Sequence, residues 1–355
     1  MWAARQFLPV SGKPELAPLG RGLINDTYRV TTAASSWVLQ RINRQVFSDP
    51  VAVMANLRRV TDHARRVRKG CPESGWRLPE VIPTRAGQDI YRDDQGEYWR
   101  AITYIEATHS LSAITQPEQA EQVGRALGWF HGLVGELAAE SLHDTLPGFH
   151  VTPGYLAGFD TVVAKGGHGL DAPGLADAMH FVESHRSRAA VLEEARAKGH
   201  LKPRVIHGDP KLDNVLFDSA SGQAVSLIDL DTVKPGLLHY DLGDCFRSCC
   251  NRVSETAEPG EAIFDVDTFR AVWRGYLREA APILTQDDLD YLYDAIRLLP
   301  FELGLRFLAD HLAGNTYFKI QAPGQNLVRA LGQFRLSASV EAHERTIRRV
   351  IADLS

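Results

Sequence analysis

The sequence predicts an α+β protein with a small β-rich part followed by a larger, mainly helical part. Short β-branched and aromatic runs separated by turn residues dominate the first hundred or so residues, which is typical of strands. Beyond Glu106, apolar residues recur at steps of three and four, which indicates helices that bury one face. Three short apolar runs in this second part flank loops rich in polar residues. We therefore expect a first lobe over residues 1–105 and a second over residues 106–355.

In the first lobe, Thr27–Val30 and Ser36–Leu39 predict strands, and Tyr98–Ile105 predicts another that leads into a hinge. Asp49 followed by Pro50 predicts a helix start, because Asp caps free N–H groups and Pro fits the first turn. The apolar stripe of this helix consists of Val53, Leu57, Val60, Ala64 and Val67, and Gly70-Cys71-Pro72 predicts its end.

In the second lobe, Thr115–Glu118 and Thr285–Asp288 have the pattern of a capping box at a helix start. We expect Pro300 to break or kink the later helix, because proline lacks the N–H that a helix interior needs. A further helix is expected over Cys245–Val253. The stretch 147–169 is rich in glycine and predicts an irregular loop or short helices.

The most informative segment is HGDPKLDN at 207–214. The apolar runs 204–206, 215–217 and 224–228 predict short strands around it. Asp209 and Asn214 then share one loop, and Asp229 ends the third strand. The alternative interpretation is a pair of ordinary turns, since Asp and Asn are common turn residues.

This combination suits phosphoryl transfer from a metal nucleotide, in which the protein mostly positions groups and neutralises charge. We expect Asp209 to accept the proton of the attacking hydroxyl. We expect Asn214 and Asp229 to hold Mg²⁺ through oxygen. Asp231 is either a further ligand, on the same face as Asp229 if the strand continues, or a hydrogen-bond partner within the loop. Lys211 either neutralises the γ-phosphate or is an exposed loop lysine.

Three neighbours of this segment are expected to support it rather than to react. We expect His207 to hold the loop through hydrogen bonds. Asp241 and Asp244 are expected to brace the same loop and to cap the helix that follows them.

HGDPKLDNVLF and LIDLDTV resemble the catalytic and metal loops of the aminoglycoside phosphotransferase family, which is related to the protein kinases. The stretches GRGLINDTYRV, WVLQRINRQVFSDP, LPGFHVTPGYLAGF and GLRFLADHLAGNTYFKI are similar, in the same order, to bacterial N-acetylhexosamine 1-kinases. The resemblance implies a bilobal protein-kinase-like fold, ATP and Mg²⁺ as cofactors, and phosphorylation of the anomeric hydroxyl of N-acetylglucosamine or N-acetylgalactosamine.

The expected nucleotide-binding loop contains Gly20, Gly22, Asn25 and Thr27. Glycines let backbone N–H groups approach phosphate oxygens closely. An ordinary hairpin turn would give the same G-x-G pattern, and the resemblance favours the phosphate-binding interpretation.

Protein kinases carry a phosphate-binding lysine on the third strand. Here the corresponding strand ends in Gln40 and Arg41, so either Arg41 supplies the cation or Gln40 occupies the position. The helix segment Met54–Arg58 contains no acid that would pair with such a cation. By analogy with the family, the adenine is expected at the hinge near Tyr104 and Ile105.

For the acceptor, the resemblance implies binding by Arg306 and Tyr317 together with Asp209. An Arg fork and a Tyr hydroxyl suit sugar hydroxyls and an amide carbonyl. The alternative acceptors are an aminoglycoside, a choline-like amino alcohol or homoserine. The other alternative is a pseudokinase that binds nucleotide without catalysis, which the missing strand lysine suggests.

Composition limits the remaining function classes. The 355 residues are 44% hydrophobic and 23% charged, with a net charge of −5 and a pI of about 6.2. This acidic balance argues against nucleic acid as a partner. The cysteines form no C-x-x-C pair, and no stretch resembles a signal peptide or a membrane span. We expect a cytoplasmic monomer that binds ATP and a small-molecule sugar.

Overall fold

The structure is a computed structural model and describes residues 2–7, 14–20, 24–33, 35–70, 75–252 and 262–355. Its first part forms an antiparallel sheet with the strand order β1-β2-β3-β6-β4, and β5 also pairs with β6. These strands are β1 (Glu15–Pro18), β2 (Asp26–Thr31), β3 (Ser36–Ile42), β4 (Val81–Ile82), β5 (Tyr91–Arg92) and β6 (Tyr98–Thr103). The predicted α+β class and kinase-like architecture are confirmed.

The short strands of the second part build two small sheets, one of β7, β9 and β10 and one of β8 and β11. Their bounds are β7 (Thr108–His109), β8 (Arg204–Ile206), β9 (Val215–Asp218), β10 (Ala224–Leu227) and β11 (Lys234–Gly236). The loop between β8 and β9 carries Asp209, and the segment after β10 carries Asp229. We call them the catalytic loop (207–214) and the metal loop (228–233).

Helices make up most of the second part, and one helix, α1, belongs to the first part. They are α1 (Pro50–Gly70), α2 (Pro117–Val134), α3 (Thr152–Ala164), α4 (Leu175–His185), α5 (Val191–Ala197), α6 (Leu238–Cys249), α7 (Val266–Ala280), α8 (Gln286–Asp290), α9 (Leu292–Leu312), α10 (Gln325–Ala342) and α11 (Glu344–Leu354). In the described chain, no helix combines the length and apolarity needed to cross a bilayer. The last long strand of the first sheet, β6, ends at Thr103, and Thr108 pairs with β9 of the second part. We therefore propose that the boundary between the lobes lies between residues 105 and 106, as the sequence predicts.

The predicted start of α1 is confirmed. The carboxylate of Asp49 accepts hydrogen bonds from the N–H groups of Val51 and Ala52 at 3.1 and 3.0 Å. The helix ends at Gly70. Its predicted stop residues Cys71 and Pro72 lie outside the described residues.

Helix α2 does begin with a capping box, but the box is formed by Gln116 and Gln119 and not by the predicted Thr115 and Glu118. Gln119, not Glu118, reaches back with its side-chain oxygen to the N–H groups of Thr115 and Gln116. Gln116 is therefore the N-cap residue. At α8 the predicted box is present, because Thr285 and Asp288 each accept from the backbone N–H of the other.

The structure decides three further helix predictions. Pro300 does not break the late helix, because α9 runs from Leu292 to Leu312 with Pro300 buried inside it. Helix α6 begins at Leu238, so Asp241 and Asp244 lie inside it and cap nothing. Of the two alternatives for the stretch 147–169, a loop or helices, the helical one is observed, as the 13-residue helix α3.

Helices α2 and α7 cross with almost no space between their backbones. A Cβ on Gly124 would lie 1.9 Å from the carbonyl oxygen of Val272, and one on Gly275 would lie 2.0 Å from that of Glu121. Both positions therefore require glycine for packing. This contact sets the position of α2, which carries His131 behind the catalytic loop.

We predict that Gly124→Ala lowers the thermal midpoint, because the added methyl forces the two helices apart. Overpacking of this kind typically costs about 1–3 kcal/mol. The control is Gly158→Ala on the exposed side of α3, where nothing lies within 4 Å. That change should raise stability slightly, since alanine favours a helix by up to about 1 kcal/mol over glycine. Equal midpoints for the two variants in thermal denaturation would contradict this packing account.

Candidate active site

The catalytic loop is held by one buried carboxylate. Asp241 on α6 accepts hydrogen bonds from the backbone N–H groups of His207 and Gly208 at 2.6 and 2.7 Å. It also lies 2.9 Å from Nε2 of His131 on α2, whose Nδ1 lies 3.0 Å from the hydroxyl of Tyr276. The backbone that leads into Asp209 is thereby fixed by two helices.

The catalytic and metal loops are also tied to each other. Gly208 adopts φ = 87°, and a Cβ there would lie 2.6 Å from the carbonyl oxygen of Thr232. The Thr232 hydroxyl donates to the carbonyl of His207 at 2.7 Å. Only glycine allows both the left-handed conformation and this close approach.

His207 is a structural histidine. Its Nε2 lies 3.0 Å from the carbonyl of Ile228, and its Nδ1 accepts from the N–H of Asp209 at 3.3 Å. Burial lowers the pKa of His207, more than Asp241 and Asp209 raise it. A neutral ring with the proton on Nε2 satisfies both contacts, so His207 supports the loop as expected.

The structure brings Asp209, Lys211 and Asn214 into direct contact. Nζ of Lys211 lies 2.7 Å from Oδ2 of Asp209. The amide nitrogen of Asn214 donates to the carbonyl of Asp209 at 2.7 Å and lies 3.3 Å from its Oδ2. Burial opposes the charge of Lys211, but Asp209 and Asp229 outweigh it and raise the lysine pKa. The loop thus places a cation and an amide beside one carboxylate.

Asp229 lies next to this group in a conformation that non-glycine residues seldom adopt. Its backbone has φ = 65° and ψ = 56°, and residues 230–232 form a 3₁₀ turn. The strand therefore does not continue to Asp231, and the predicted shared strand face does not exist. The carbonyl of Asn214 accepts from the N–H of Ile228 at 2.8 Å, which ties the metal loop to the catalytic loop. Backbone strain such as the left-handed conformation of Asp229 is often found at functional sites.

Burial first, and then the charges of Asp231 and Asp209, raise the pKa of Asp229 to about 7, while Lys211 and Arg100 act in the opposite direction. The site therefore has an excess of negative charge that a further cation would relieve. This excess and the all-oxygen donors fit Mg²⁺, which keeps several water or phosphate ligands and needs few from the protein. Within the described chain, no three acidic, His or Cys side chains converge as a complete metal cage. Asn214 and Asp229 are the residues that would hold the ion.

Asp231 has a different environment from the one expected for a free metal ligand. One of its oxygens forms an ion pair with Arg100 on β6, and the other accepts from the amide of Asn25 at 2.6 Å. Asp231 and Arg100 are 3% and 2% exposed, so this pair is buried. Neither of the two roles expected for Asp231 describes these contacts, because its partners Arg100 and Asn25 lie in the first part of the chain rather than within the loop.

The expected nucleotide-binding loop begins at Gly20, after β1. Leu19 donates its N–H to the carbonyl of Thr27 at 2.9 Å, so the loop that begins with Gly20 closes between β1 and β2. Gly22 lies outside the described residues. Asn25 follows this loop, and its side-chain oxygen accepts from the N–H of Asn43 at 2.9 Å.

The structure does not bring Arg41 into this group. Nε of Arg41 donates to Asp26 at 2.9 Å, and its side chain is 42% exposed. Gln40, its neighbour on the strand, faces the other way and contacts Arg100. Of the two alternatives for this strand, Arg41 thus lies away from the Asp209 group. Gln40 occupies the face of the sheet that carries Arg100, which pairs with Asp231.

The hinge follows β6. The Tyr104 ring lies 4.4 Å below the guanidinium of Arg29, and the carbonyl of Ile105 accepts from the hydroxyl of Thr108 at 2.7 Å. Ala107 has a positive φ of 57°, which marks a sharp change of chain direction. The positions expected for adenine thus lie where the chain passes between the lobes.

Arg306 on α9 lies among aromatic rings. Its guanidinium carbon is 5.3, 5.0 and 5.6 Å from the ring centres of Phe149, Tyr155 and Phe318. Among the described side chains, none forms an ion pair or hydrogen bond with it. Burial opposes its charge, but Tyr155 and Glu302 outweigh it and raise the pKa of Arg306. Its charged donors are therefore available to a ligand.

Tyr317 is 55% exposed and lies next to Phe318 in the chain. The buried carboxylate of Asp310 fixes this segment by accepting from the N–H groups of Thr316, Tyr317 and Phe318 at 2.8, 2.8 and 2.9 Å. Arg306 and Tyr317 are thus on neighbouring segments, with Phe318 between them. The sequence placed Asp310 among the charges of the late helices, but its role in holding residues 316–318 was not predicted, although an acid in the last turn of a helix before a polar loop is a recognisable signal.

His150 joins this acceptor side to the catalytic loop. Its Nε2 lies 2.9 Å from the carbonyl of Gly208, and its Nδ1 lies 2.9 Å from a carboxylate oxygen of Glu302, one turn before Arg306 on α9. A protonated ring, which has two N–H groups, would satisfy both of these acceptors. Burial opposes this charge, but Glu302 outweighs it and raises the pKa of His150. The sequence placed Glu302 among the charges near Arg306, but its contact with His150 was not predicted, because the two residues are 152 positions apart in the chain.

The sequence profile of the phosphotransferase enzyme family (APH) matches residues 15–280, which is more than half of the chain. The chain belongs to this family. Solved structures with the same fold include a microcompartment-associated aminopropanol kinase, at 19% identity and a TM-score of 0.65, covering 98% of this chain and 97% of that one. They also include the GDP complex of aminoglycoside 2′-phosphotransferase-IIIa, at 15% identity and a TM-score of 0.60, covering 97% and 98% of the two chains. A choline kinase from Cryptosporidium parvum Iowa II matches at 13% identity and a TM-score of 0.60, covering 96% and 93%.

These likenesses, all below 25% identity, establish the phosphotransferase fold and leave the acceptor open. The kinases just named differ in the molecule that they phosphorylate, as their names state. For this phosphotransferase, the acceptor must therefore be argued from its own residues.

We predict that His150→Gln destabilises the phosphotransferase more at pH 6 than at pH 9. The folded-state pKa of His150 is raised, so its contribution is complete below the unfolded value of 6.5 and is lost as pH rises through the folded value. Breaking a buried pair typically costs about 3–5 kcal/mol. The measurement is the difference in thermal midpoint from the wild type across pH, with exposed His180→Gln as the control. A difference that stays constant with pH would contradict a protonated His150.

Proposed function

We propose that this phosphotransferase is an ATP- and Mg²⁺-dependent sugar kinase that converts an N-acetylhexosamine into its 1-phosphate. The observation that carries the proposal is the contact of Asp209 with Lys211 and Asn214 beside the strained Asp229. A base, a cation and oxygen donors for a metal are the parts that phosphoryl transfer needs.

In this proposal Asp209 accepts the proton of the anomeric hydroxyl as that oxygen bonds to the γ-phosphorus. The bond between the γ-phosphorus and its bridging oxygen breaks, and ADP leaves with the electron pair. Lys211 places a positive charge next to the transferred group. Magnesium bound with ATP supplies charge neutralisation on the phosphate oxygens.

The acceptor assignment is supported by the charge of its pocket. Arg306, which has no ion-pair partner among the described residues, brings its positive charge into a site lined by Phe149, Tyr155 and Phe318. A cationic acceptor would meet like charge there, whereas an amide carbonyl or sugar hydroxyl would meet a hydrogen-bond donor. This favours an N-acetylated sugar over an aminoglycoside or a choline-like alcohol. Homoserine carries a carboxylate and stays as an alternative for the same arginine.

Asp209, Asn214 and Asp229 are all present and close together, which supports catalysis rather than the alternative of a pseudokinase. We further propose that the sugar and ATP bind a monomeric cytoplasmic protein.

A panel of acceptors tests the proposal directly. Protein, ATP and Mg²⁺ are mixed with N-acetylglucosamine, N-acetylgalactosamine, homoserine, choline or an aminoglycoside, and ADP release is followed. We expect turnover with an N-acetylated sugar, and the ³¹P spectrum of the product should show a phosphate on the anomeric carbon. Turnover with choline or an aminoglycoside alone would show that the acceptor was misassigned.

We predict that Asp209→Asn reduces turnover by about 100-fold or more, because the amide cannot accept the proton. Affinity for ADP should stay close to that of the wild type in calorimetry. Asp213→Asn on the exposed side of the same loop is the matched control. A variant at position 209 that kept most of its activity would show that Asp209 is not the base.

We also predict that Arg306→Met raises the KM for the sugar about tenfold or more while the KM for ATP is unchanged. This is the loss expected for one hydrogen bond from a charged donor. Arg270→Met on the exposed face of α7 serves as the control. If both variants had the same sugar KM, Arg306 would not bind the acceptor.

A further inference from the structure

Arg100 is a buried charge in the middle of the first-lobe sheet. It lies on β6 directly opposite Gln40 on β3, and Gln40 lies opposite Thr27 on β2. Side chains at paired positions share a face of the sheet. The side chain of Arg100 is 2% exposed, so its charge must be satisfied within the protein or by a ligand.

Gln40 fixes the orientation of this guanidinium. Its side-chain oxygen accepts from Nε and Nη2 of Arg100 at 2.9 and 2.7 Å, and its amide nitrogen donates to the hydroxyl of Thr27 at 3.0 Å. The strand position where kinases carry a lysine therefore holds a residue that positions a cation from the neighbouring strand.

The acid that balances Arg100 comes from the metal loop. Asp231 pairs with Arg100 and also accepts from Asn25, at the end of the expected phosphate-binding loop. In protein kinases the balancing acid is a glutamate of the first-lobe helix. Here Asn56 of α1 instead binds the carbonyls of His143 and Val233 at 2.8 and 2.9 Å.

Arg100 still has donor capacity. Among the described residues, its Nη1 meets only the sulfur of Met54, at 4.0 Å, which is a weak acceptor. The guanidinium thus lies at the junction of the sheet, Asn25 and the metal loop, with one nitrogen lacking a strong partner. Arginine suits phosphate because its planar fork presents several donors at once.

We propose that Arg100 binds the phosphates of the nucleotide in place of the strand lysine, that Gln40 positions it, and that Asp231 is its balancing acid. This rests on the proposed nucleotide-dependent function. The cation–acid pair of the nucleotide site then links β6 to the metal loop, instead of linking β3 to α1.

Equilibrium binding of ADP tests this without any acceptor. Arg100→Met should weaken Mg·ADP binding about 30-fold or more in calorimetry, whereas Arg92→Met, on exposed β5 of the same sheet, should change it less than about twofold. The double variant Q40K/R100M, which returns a lysine to the third strand, should recover about tenfold of the loss.

A folded Arg100→Met variant that binds Mg·ADP within about threefold of the wild type would overturn the proposal. If that variant does not fold, Arg100→Lys and Arg100→Gln decide: the lysine variant must bind ADP clearly better than the glutamine variant, and equal affinities would overturn the proposal. Wild-type protein that bound no nucleotide would instead refute the kinase function itself.

The role of Asp231 is tested separately with Mg²⁺ and with EDTA. Asp231→Asn should weaken ADP binding under both conditions, because it acts through Arg100. Asp229→Asn should weaken binding only when Mg²⁺ is present. If Asp231→Asn lost ADP affinity only in the presence of Mg²⁺, Asp231 would be a metal ligand. That result would overturn its proposed role as the acid that balances Arg100.

Discussion

The repulsion among Asp209, Asp229 and Asp231 is the constraint on which the rest of the structure depends. Burial and the two neighbouring charges raise the pKa of Asp229 to about 7, so the fold holds these carboxylates together against an electrostatic cost. Lys211 and Arg100 offset part of it. A magnesium nucleotide would bring both the missing positive charge and the phosphates that these cations suit. Under the proposed function, this repulsion would therefore favour the binding of a metal-bound nucleotide.

Holding like charges together requires a rigid frame, and the hydrogen bonds of the catalytic loop supply it. Asp241 fixes the backbone before Asp209, and Thr232 ties the metal loop to it. The non-glycine residues with positive φ in the described chain are Ala107, His150, Asp229 and Asn315. They lie at the hinge, at the link to α9, in the metal loop and after α9. Strained backbone is therefore concentrated around the site, where the surrounding contacts can hold it.

The acceptor side is attached to the same frame. His150 forms hydrogen bonds with the carbonyl of Gly208 and the carboxylate of Glu302, so it fixes the position of α9 relative to the catalytic loop. Arg306 follows one turn later, and Asp310 holds the segment with Tyr317 and Phe318. An acceptor bound by Arg306 would thus be positioned relative to Asp209 through a short chain of buried hydrogen bonds.

The sequence by itself determined the local features of this protein. The spacing of Asp209, Asn214 and Asp229, the strands around them and the Asp49 cap of α1 are set by residues close in the chain, where turn and strand preferences act directly. The tertiary structure alone decided which distant groups meet. Gln40 and Arg41 lie on opposite faces of β3, and the sheet register placed Arg100 opposite Gln40. Packing of the metal loop against this sheet then brought Asp231 to Arg100. Burial allowed Pro300 to lie within α9, because contacts made by the whole lobe outweigh a local preference.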